Sequence, residues 1–432
     1  MRVHHNVCCG IDVHKKSVTA CLMWGPADKE PKFEIRRFGT MTRDLQKLAE
    51  WLKQAGCEAA TMESTGSYWK PVWNVLEGQT PRLILANAQH VRALPGEKTD
   101  RKDGKRLAEL TRHGQVRPSY VPPRAILELR DLTRYRSKLL SAGSSERNRI
   151  QKVLEDANIK LGSVLSDVFG LSGQKMLQQL VKTDTVDIAN VIQLAHWKLK
   201  PKMEAIEQSL EGKLTDHHRF LVQASLEHMR FIEEQLKRLD EEIQRRLQPY
   251  QEEYALLQTI PGIKETGAAR ILAEIGADMS VYPDGDHLSS WGGVCPGNNE
   301  SAGKKFRSKI RKGNVHLLSA LTQCAWAATK KKDCHFRNKY YRLKSRRGSQ
   351  RAIVAVDHAM LKCIYVVLSQ RKPYQEPKPV SLSEAQKQRK ASSLCRQLRV
   401  LGYDVKIQKT AQHRHFRYSE FMPRRRDAVC RS

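Results

Sequence analysis

The apolar positions of the first 120 or so residues change period several times, and each change marks an element. Val7–Asp12 and Ser17–Trp24 are short apolar runs separated by His14-Lys15-Lys16, and they read as two strands joined through a polar turn. Lys32–Phe38 is a third strand. From Leu45 to Ala55 the period lengthens, with Leu45, Leu48 and Leu52 on one face, which predicts a helix. Glu58–Met62 then predicts a fourth strand, Trp69–Leu76 a helix, Arg82–Ala86 a fifth strand, and 99–113 a helix. Pro118, Pro122 and Pro123 interrupt the pattern and close a mixed α/β unit over residues 1–122.

Beyond it the pattern is helical. Residues 123–250 are charge-rich, and Val222, Ser225, Met229, Ile232, Leu236, Leu239 and Ile243 alternate spacings of three and four. That is a seam of about three heptads. It fits equally a helical hairpin packed on its own chain and a coiled coil between two chains. Residues 251–368 form a further, mostly helical unit with apolar runs at Ala255–Ile260 and Ala352–Leu368. Residues 369–432 form a basic extension that opens with Pro373, Pro377 and Pro379. A helix, a short strand at Asp404–Ile407 and the run Arg424-Arg425-Arg426 follow. No internal repeat is visible.

Charge narrows the function. The chain of 432 residues carries a formal net charge of +30, too large an excess for an ordinary soluble enzyme. Lys and Arg that neutralise phosphates release condensed counterions, so the excess points to a nucleic acid. An anionic membrane surface is the competing reading. No run of 18 apolar residues occurs and the mean hydropathy is −0.58, so no spanning segment is expected, and no signal peptide is read at the start. Ten cysteines without a Cys-x-x-Cys pair argue against a zinc site or a disulfide framework and suit a reducing cytosol.

The chemistry concentrates in two places. Asp12 ends the first strand in Gly10-Ile11-Asp12-Val13-His14-Lys15, and Glu63 follows the fourth in Met62-Glu63-Ser64-Thr65-Gly66. Asp100 and Asp103, in Lys98-Thr99-Asp100-Arg101-Lys102-Asp103, share one face of a helix starting near Thr99. Taken singly, each acid has a plainer reading: a turn residue, a solvated strand end, a partner for a helix dipole. Together, at the ends of two strands and one helix, four hard oxygen donors suit Mg²⁺ acting on a phosphodiester.

The second place lies in the C-terminal half. Ile260-Pro261-Gly262-Ile263 reads as a helix-hairpin-helix turn, whose glycine lets backbone N–H groups approach a phosphate. The plainer reading is an ordinary helix-to-helix turn. Farther on, Trp291 to Lys305 is a Gly- and Pro-rich loop with Ser301 at its tip. Between 301 and 351 stand sixteen Lys or Arg, including Lys304, Lys305, Arg307, Lys309, Arg311 and Lys312, against one acid, Asp333. Such a stretch is expected to contact DNA. A loop serine by itself is usually a turn former, and catalysis is not read from it alone.

The element order of residues 1–122 is that of an RNase H-like fold. The three acidic motifs, with Asn87-Ala88 and His90 after the fifth strand, resemble those of the DEDD transposases of insertion sequences, of the insertion-sequence-110 type. The spacing Pro296-x-x-x-x-Ser301-x-Gly303 resembles that family's serine motif. The resemblance covers roughly residues 5–370. It implies a RuvC-like N-terminal domain in which Asp12, Glu63, Asp100 and Asp103 bind Mg²⁺, and a C-terminal domain in which Ser301 attacks the phosphodiester. It further implies DNA partners, guidance by a structured bridge RNA, a dimer or tetramer, no membrane association, and a place in the bacterial cytosol. Two rivals stay open: a structure-selective nuclease of the Holliday-junction resolvase type using water as nucleophile, and a non-catalytic nucleic-acid-binding protein.

Overall fold

The computed structural model describes residues 2–64, 66–86, 100–182, 191, 197–295, 300–301, 304–305, 310, 313–377 and 383–405; for Asp100, Arg101, Lys102, Glu300, Ser301, Lys304, Lys305, Gln386 and Lys390 the description is of the backbone. Residues 1–374 form one compact unit and 375–432 a second.

The first unit opens with a five-stranded sheet. Its strands are β1 (Val7–Val13), β2 (Ser17–Trp24), β3 (Lys32–Gly39), β4 (Ala59–Glu63) and β5 (Arg82–Ala86), in the spatial order β3-β2-β1-β4-β5. β1, β2 and β3 are antiparallel neighbours, whereas β4 lies parallel to β1 and β5 parallel to β4. All five predicted strands are present, within about a residue of their expected ends, and a mixed α/β domain precedes a helical remainder.

Strand periodicity sends alternate residues to opposite faces. Cys9, Ile11 and Val13 of β1 join Val18, Ala20 and Leu22 of β2 under α1 (Thr42–Gln54) and α2 (Trp69–Leu76), which supply Leu45, Leu48, Leu52, Val72 and Leu76. On the other face Cys8, Cys21 and Met23 pack with Ala108 of α3 (Asp100–Arg112). Here the fit is backbone on backbone. A Cβ on Gly10 would stand 2.2 Å from the Gly104 carbonyl oxygen and 2.3 Å from the Ala108 nitrogen. Arg112, almost fully buried, ends α3 by donating to the carbonyls of Asn6 (3.1 Å), Gly25 (2.8 Å) and Pro26 (2.9 Å). A guanidinium buried with no carboxylate partner among the described residues is tolerable because these carbonyl dipoles replace its water.

Pro118 pairs with Ala86 at the sheet edge, and Pro123 leads into α4 (Arg124–Asp156), the first leg of a long helical hairpin. The second leg is α5 (Asp216–Leu247). Its heptad seam faces α4 of the same chain, with Val222, Ser225, Met229, Ile232 and Ile243 buried. At the far end of the hairpin Ile150, Leu154, Val222 and Met229 share a separate core with helices Leu161–Val164, Leu171–Lys182 and Met203–Ser209.

The near end of the hairpin feeds the C-terminal core, which takes in Leu129, Ile243 and Leu247. That core is built from α6 (Gln251–Gln258), α7 (Glu265–Ile275), α8 (Gly285–Trp291), α9 (Val315–Lys330), α10 (His335–Arg347) and α11 (Ser349–Gln370). By length and composition alone α11 would pass for a helix that crosses a membrane. An 18-residue window that admits a few polar positions passes where an unbroken apolar run does not. In this structure half of that window is buried, with Ile353, Val356, Met360, Leu361 and Ile364 in the core. The second unit contains α12 (Glu384–Val400). Of its expected strand, Asp404 and Val405 are irregular, and 406–407 lie outside the described residues.

Candidate functional site

Asp12 and Glu63 are brought together by strand register. Ile11 pairs with Met62 in the parallel β1–β4 ladder, so Asp12 and Glu63 are the next residues on adjacent strands. Both lie on the face of Gly10 and Thr61, which is the face α3 covers: Thr111 donates to Thr61 across it at 2.6 Å. The hydrogen bond from Cys8 Sγ to the Ala108 carbonyl (3.4 Å) and the Gly10–Gly104 approach fix how α3 lies. Along α3, moving from Ala108 to Gly104 tracks β1 from Cys8 to Gly10. Four helical residues and two strand residues both advance about 6 Å. One further turn carries the backbone of α3 to Asp100 over Asp12.

The helix therefore runs antiparallel to β1, and its N-terminus arrives where the two carboxylates stand. Asp103 is half-buried there, on the stripe it shares with Leu107 and Thr111. Asp12 is largely buried, with Oδ2 3.0 Å from Nε2 of His14, beyond the strand end. Among the described residues no three acids, histidines or cysteines already form a metal cage; the side chain of Asp100 lies outside them. The donor chemistry fits a hard divalent cation, since three of four carboxylates are placed on one face at one end of the sheet. His14 is a neighbour that sequence reasoning missed. Its signal was the i, i+2 spacing from Asp12 across the turn.

Ser301 falls in β6 (Glu300–Ser301), paired antiparallel with β7 (Lys304–Lys305), Ser301 opposite Lys304. It thus flanks the tip of a two-stranded ribbon. The loop leaves and rejoins the fold at one pinch: a Cβ on Gly313 would lie 2.5 Å from the Gly293 Cα, and Gly293 itself has φ +75°. Arg307, Ser308, Lys309, Arg311 and Lys312 lie outside the described residues, as do Asn87, Ala88 and His90.

The foot of this loop is anchored by residues that spacing did not reveal. Asn314 caps α9 through its side-chain oxygen and donates its amide to Glu274 at 2.6 Å. Glu274, nearly fully buried on α7, also receives both guanidinium bonds of Arg134 on α4, each 2.8 Å, and faces Arg130 at 3.4 Å. Burial pushes the Glu274 carboxyl up, but the bonds from Arg134 and Asn314 outweigh it and hold it below the usual range. Glu274 hides in an apolar helical run, Ile271-Leu272-Ala273-Glu274-Ile275, and its partners are 140 and 40 residues away.

Gly262, expected in a phosphate-binding turn, does occupy the turn between α6 and α7 at φ +89°. Its missing side chain faces α9, however: a Cβ would meet the Cys324 carbonyl oxygen at 2.3 Å. Close helix packing and the left-handed backbone each require glycine there.

Residues 9–159 match a family model described as a transposase, of the DEDD type of IS110. Residues 254–341 match a second, described as the transposase IS116/IS110/IS902 family. No curated protein matches the chain.

Proposed function

Since the chain belongs to the IS110-type transposases of insertion sequences, we propose that it breaks and rejoins DNA by serine attack, in a RuvC-like, RNase H-like domain arrangement. The observation that carries this reading is the convergence of Asp12, Glu63 and the N-terminus of α3 at one end of the sheet. Asp12, Glu63, Asp100 and Asp103 are the residues that would hold Mg²⁺, which when bound neutralises charge on the phosphate under attack. Ser301, at the ribbon tip, supplies the nucleophilic oxygen. Its Oγ forms a bond to phosphorus as the ester bond to the departing strand end breaks, and its proton passes to a carboxylate of the acidic domain brought across in the assembly. The seryl ester conserves the phosphodiester, so a new strand end can reverse the step and close the joint. Lys304 and Lys305, and beyond them Arg307, Lys309, Arg311 and Lys312, steady phosphates near the serine. A bridge RNA supplied by the element is the guide in this reading, the assembly is a dimer or tetramer, and the bacterial cytosol is its setting.

The test is to trap the protein on element DNA and digest the complex. Wild type is expected to yield a peptide spanning Ser301 attached to DNA. Ser301→Ala and Asp12→Asn are expected to bind nucleic acid normally and to lose strand exchange by at least a hundredfold. Hydrolytic cleavage at the normal rate by Ser301→Ala, with no adduct in wild type, would establish the resolvase-type nuclease instead. Full function in both variants would leave only a binding protein.

A further inference from the structure

Helices α9 and α10 carry a feature that neither the acids nor the serine uses. Trp326 on α9 and Tyr341 on α10 are 42% and 50% exposed. Between them stands Tyr340, buried, whose ring is 5.3 Å from Trp326 and 5.2 Å from Tyr341, edge-on to both. The buried ring stands between the two exposed ones and holds each of them one ring away from the other.

Helical spacing sets what surrounds Tyr341. Arg337 and Lys344, four residues before it and three after, lie on its stripe. The Arg337 guanidinium sits 5.0 Å from the Tyr341 centroid and the Lys344 ammonium 5.9 Å. Phe336 and Tyr340 take the opposite face into the core. From His335 to Arg347 the helix carries six Lys or Arg and no acid. Among the described residues none of the six forms an ion pair with a carboxylate. A cation stacked on tyrosine can be a purely local contact worth little. That account explains Arg337 over Tyr341 but not an exposed tryptophan beside it, nor six cations left without counter-charges.

We propose that Trp326 and Tyr341 form a stacking platform for unpaired bases, with Arg337, Lys344 and their neighbours holding the phosphates of that strand. Exposed rings bind base faces of any sequence, and flanking cations track the backbone. The uncompensated charge disfavours an apolar or basic protein surface as the occupant. A double helix is disfavoured too, because its base faces are already stacked. The contacts involve neither the 2′-hydroxyl nor a base edge, so the platform is indifferent to sequence. It rests on the reading of the chain as a nucleic-acid enzyme but not on the serine chemistry.

The experiment measures binding of the full chain to oligouridylate, oligothymidylate, a duplex of equal length and polyglutamate, over a range of salt. The double variant Trp326→Ala/Tyr341→Ala is expected to lose roughly tenfold per ring on the single strands. Its salt slope should be unchanged, because no charge is removed, and its duplex affinity should stay within about twofold. Trp326→Phe/Tyr341→Phe keeps both rings and is expected to restore most of the affinity, which separates stacking from a folding defect. A loss confined to one of the two single strands overturns it, because stacking on base faces does not read the sugar. No loss, equal loss on duplex, or equal loss on polyglutamate overturns it. A chain that shows this preference yet leaves no serine adduct overturns the catalytic proposal alone, and the reverse result overturns only the platform.

Discussion

Asp357 shows at the scale of one residue how a core can hold a penalty. It is fully buried on α11. One oxygen accepts from Thr322 at 2.9 Å, and the other has no hydrogen-bond partner. Burial raises its carboxyl to about 7, with the Thr322 bond working against the rise. The sign follows from linkage: a carboxyl whose folded value lies above its unfolded one, near 3.8, binds its proton more tightly when folded. Its contribution to stability is complete below that lower value and is lost as pH rises to about 7. Asp357→Asn should therefore be more stable than wild type at pH 8, by on the order of a few kcal/mol, with the advantage shrinking toward pH 4. Paired urea titrations at the two values check this; an advantage independent of pH would show that Asp357 is not protonated on folding. Residue scale is also where sequence reading stops soonest. Asp12 and Glu63 stood out because, with Asp100 and Asp103, they fall together at the ends of two strands and the start of one helix. Asp357 and Glu274 lie inside helices whose apolar neighbours conceal them, and their partners are distant in sequence.

Among elements, the placement of α3 decides whether the acidic site exists. Strands were readable because their period and turns are local, and the seam of α5 because heptads are local. The direction in which α3 crosses β1 was not, since it depends on a contact between residues 10 and 104. The same crossing yields opposite outcomes for two glycines. At Gly10 an added methyl strikes helix backbone at 2.2 Å, so Gly10→Ala should displace α3. It is expected to cost about 1–3 kcal/mol and to reduce strand exchange far more than the lost stability explains. At Gly104 the nearest atom to an added methyl is the Thr19 carbonyl at 3.5 Å, an ordinary contact. Gly104→Ala should then stabilise, by about 0.5–1 kcal/mol, because alanine loses less backbone entropy in a helix. Thermal melts of both variants, with strand exchange assayed beside them, distinguish this crossing from any arrangement in which the two positions are equivalent.

Across the whole molecule, charge is the property best read from composition. Sixteen cations against one acid between residues 301 and 351 supply half of the formal +30 from under an eighth of the chain. Binding to nucleic acid should weaken steeply between 50 and 200 mM salt, by roughly a thousandfold or more if six or more phosphates are neutralised. Neutralising Lys304 and Lys305 together should reduce the logarithmic slope by about two. A slope unchanged by that pair would place the phosphate contacts elsewhere. What composition did not give is the division of labour: the α4–α5 hairpin belongs to two cores at once and joins the C-terminal core to a second core at its far end.

The pinch at Gly293 and Gly313 bears on how such a chain diversifies. A segment whose two ends meet at a single crossing can lengthen, shorten or exchange residues while the helices beneath keep their register. Loop closure makes the entropic cost of added length grow only logarithmically. The ribbon bearing Ser301 is in that sense a cassette. Heredity can edit it, and so can a designer who grafts the stretch between the two glycines from one relative into another, provided both glycines and the buried Val294 stay with the host.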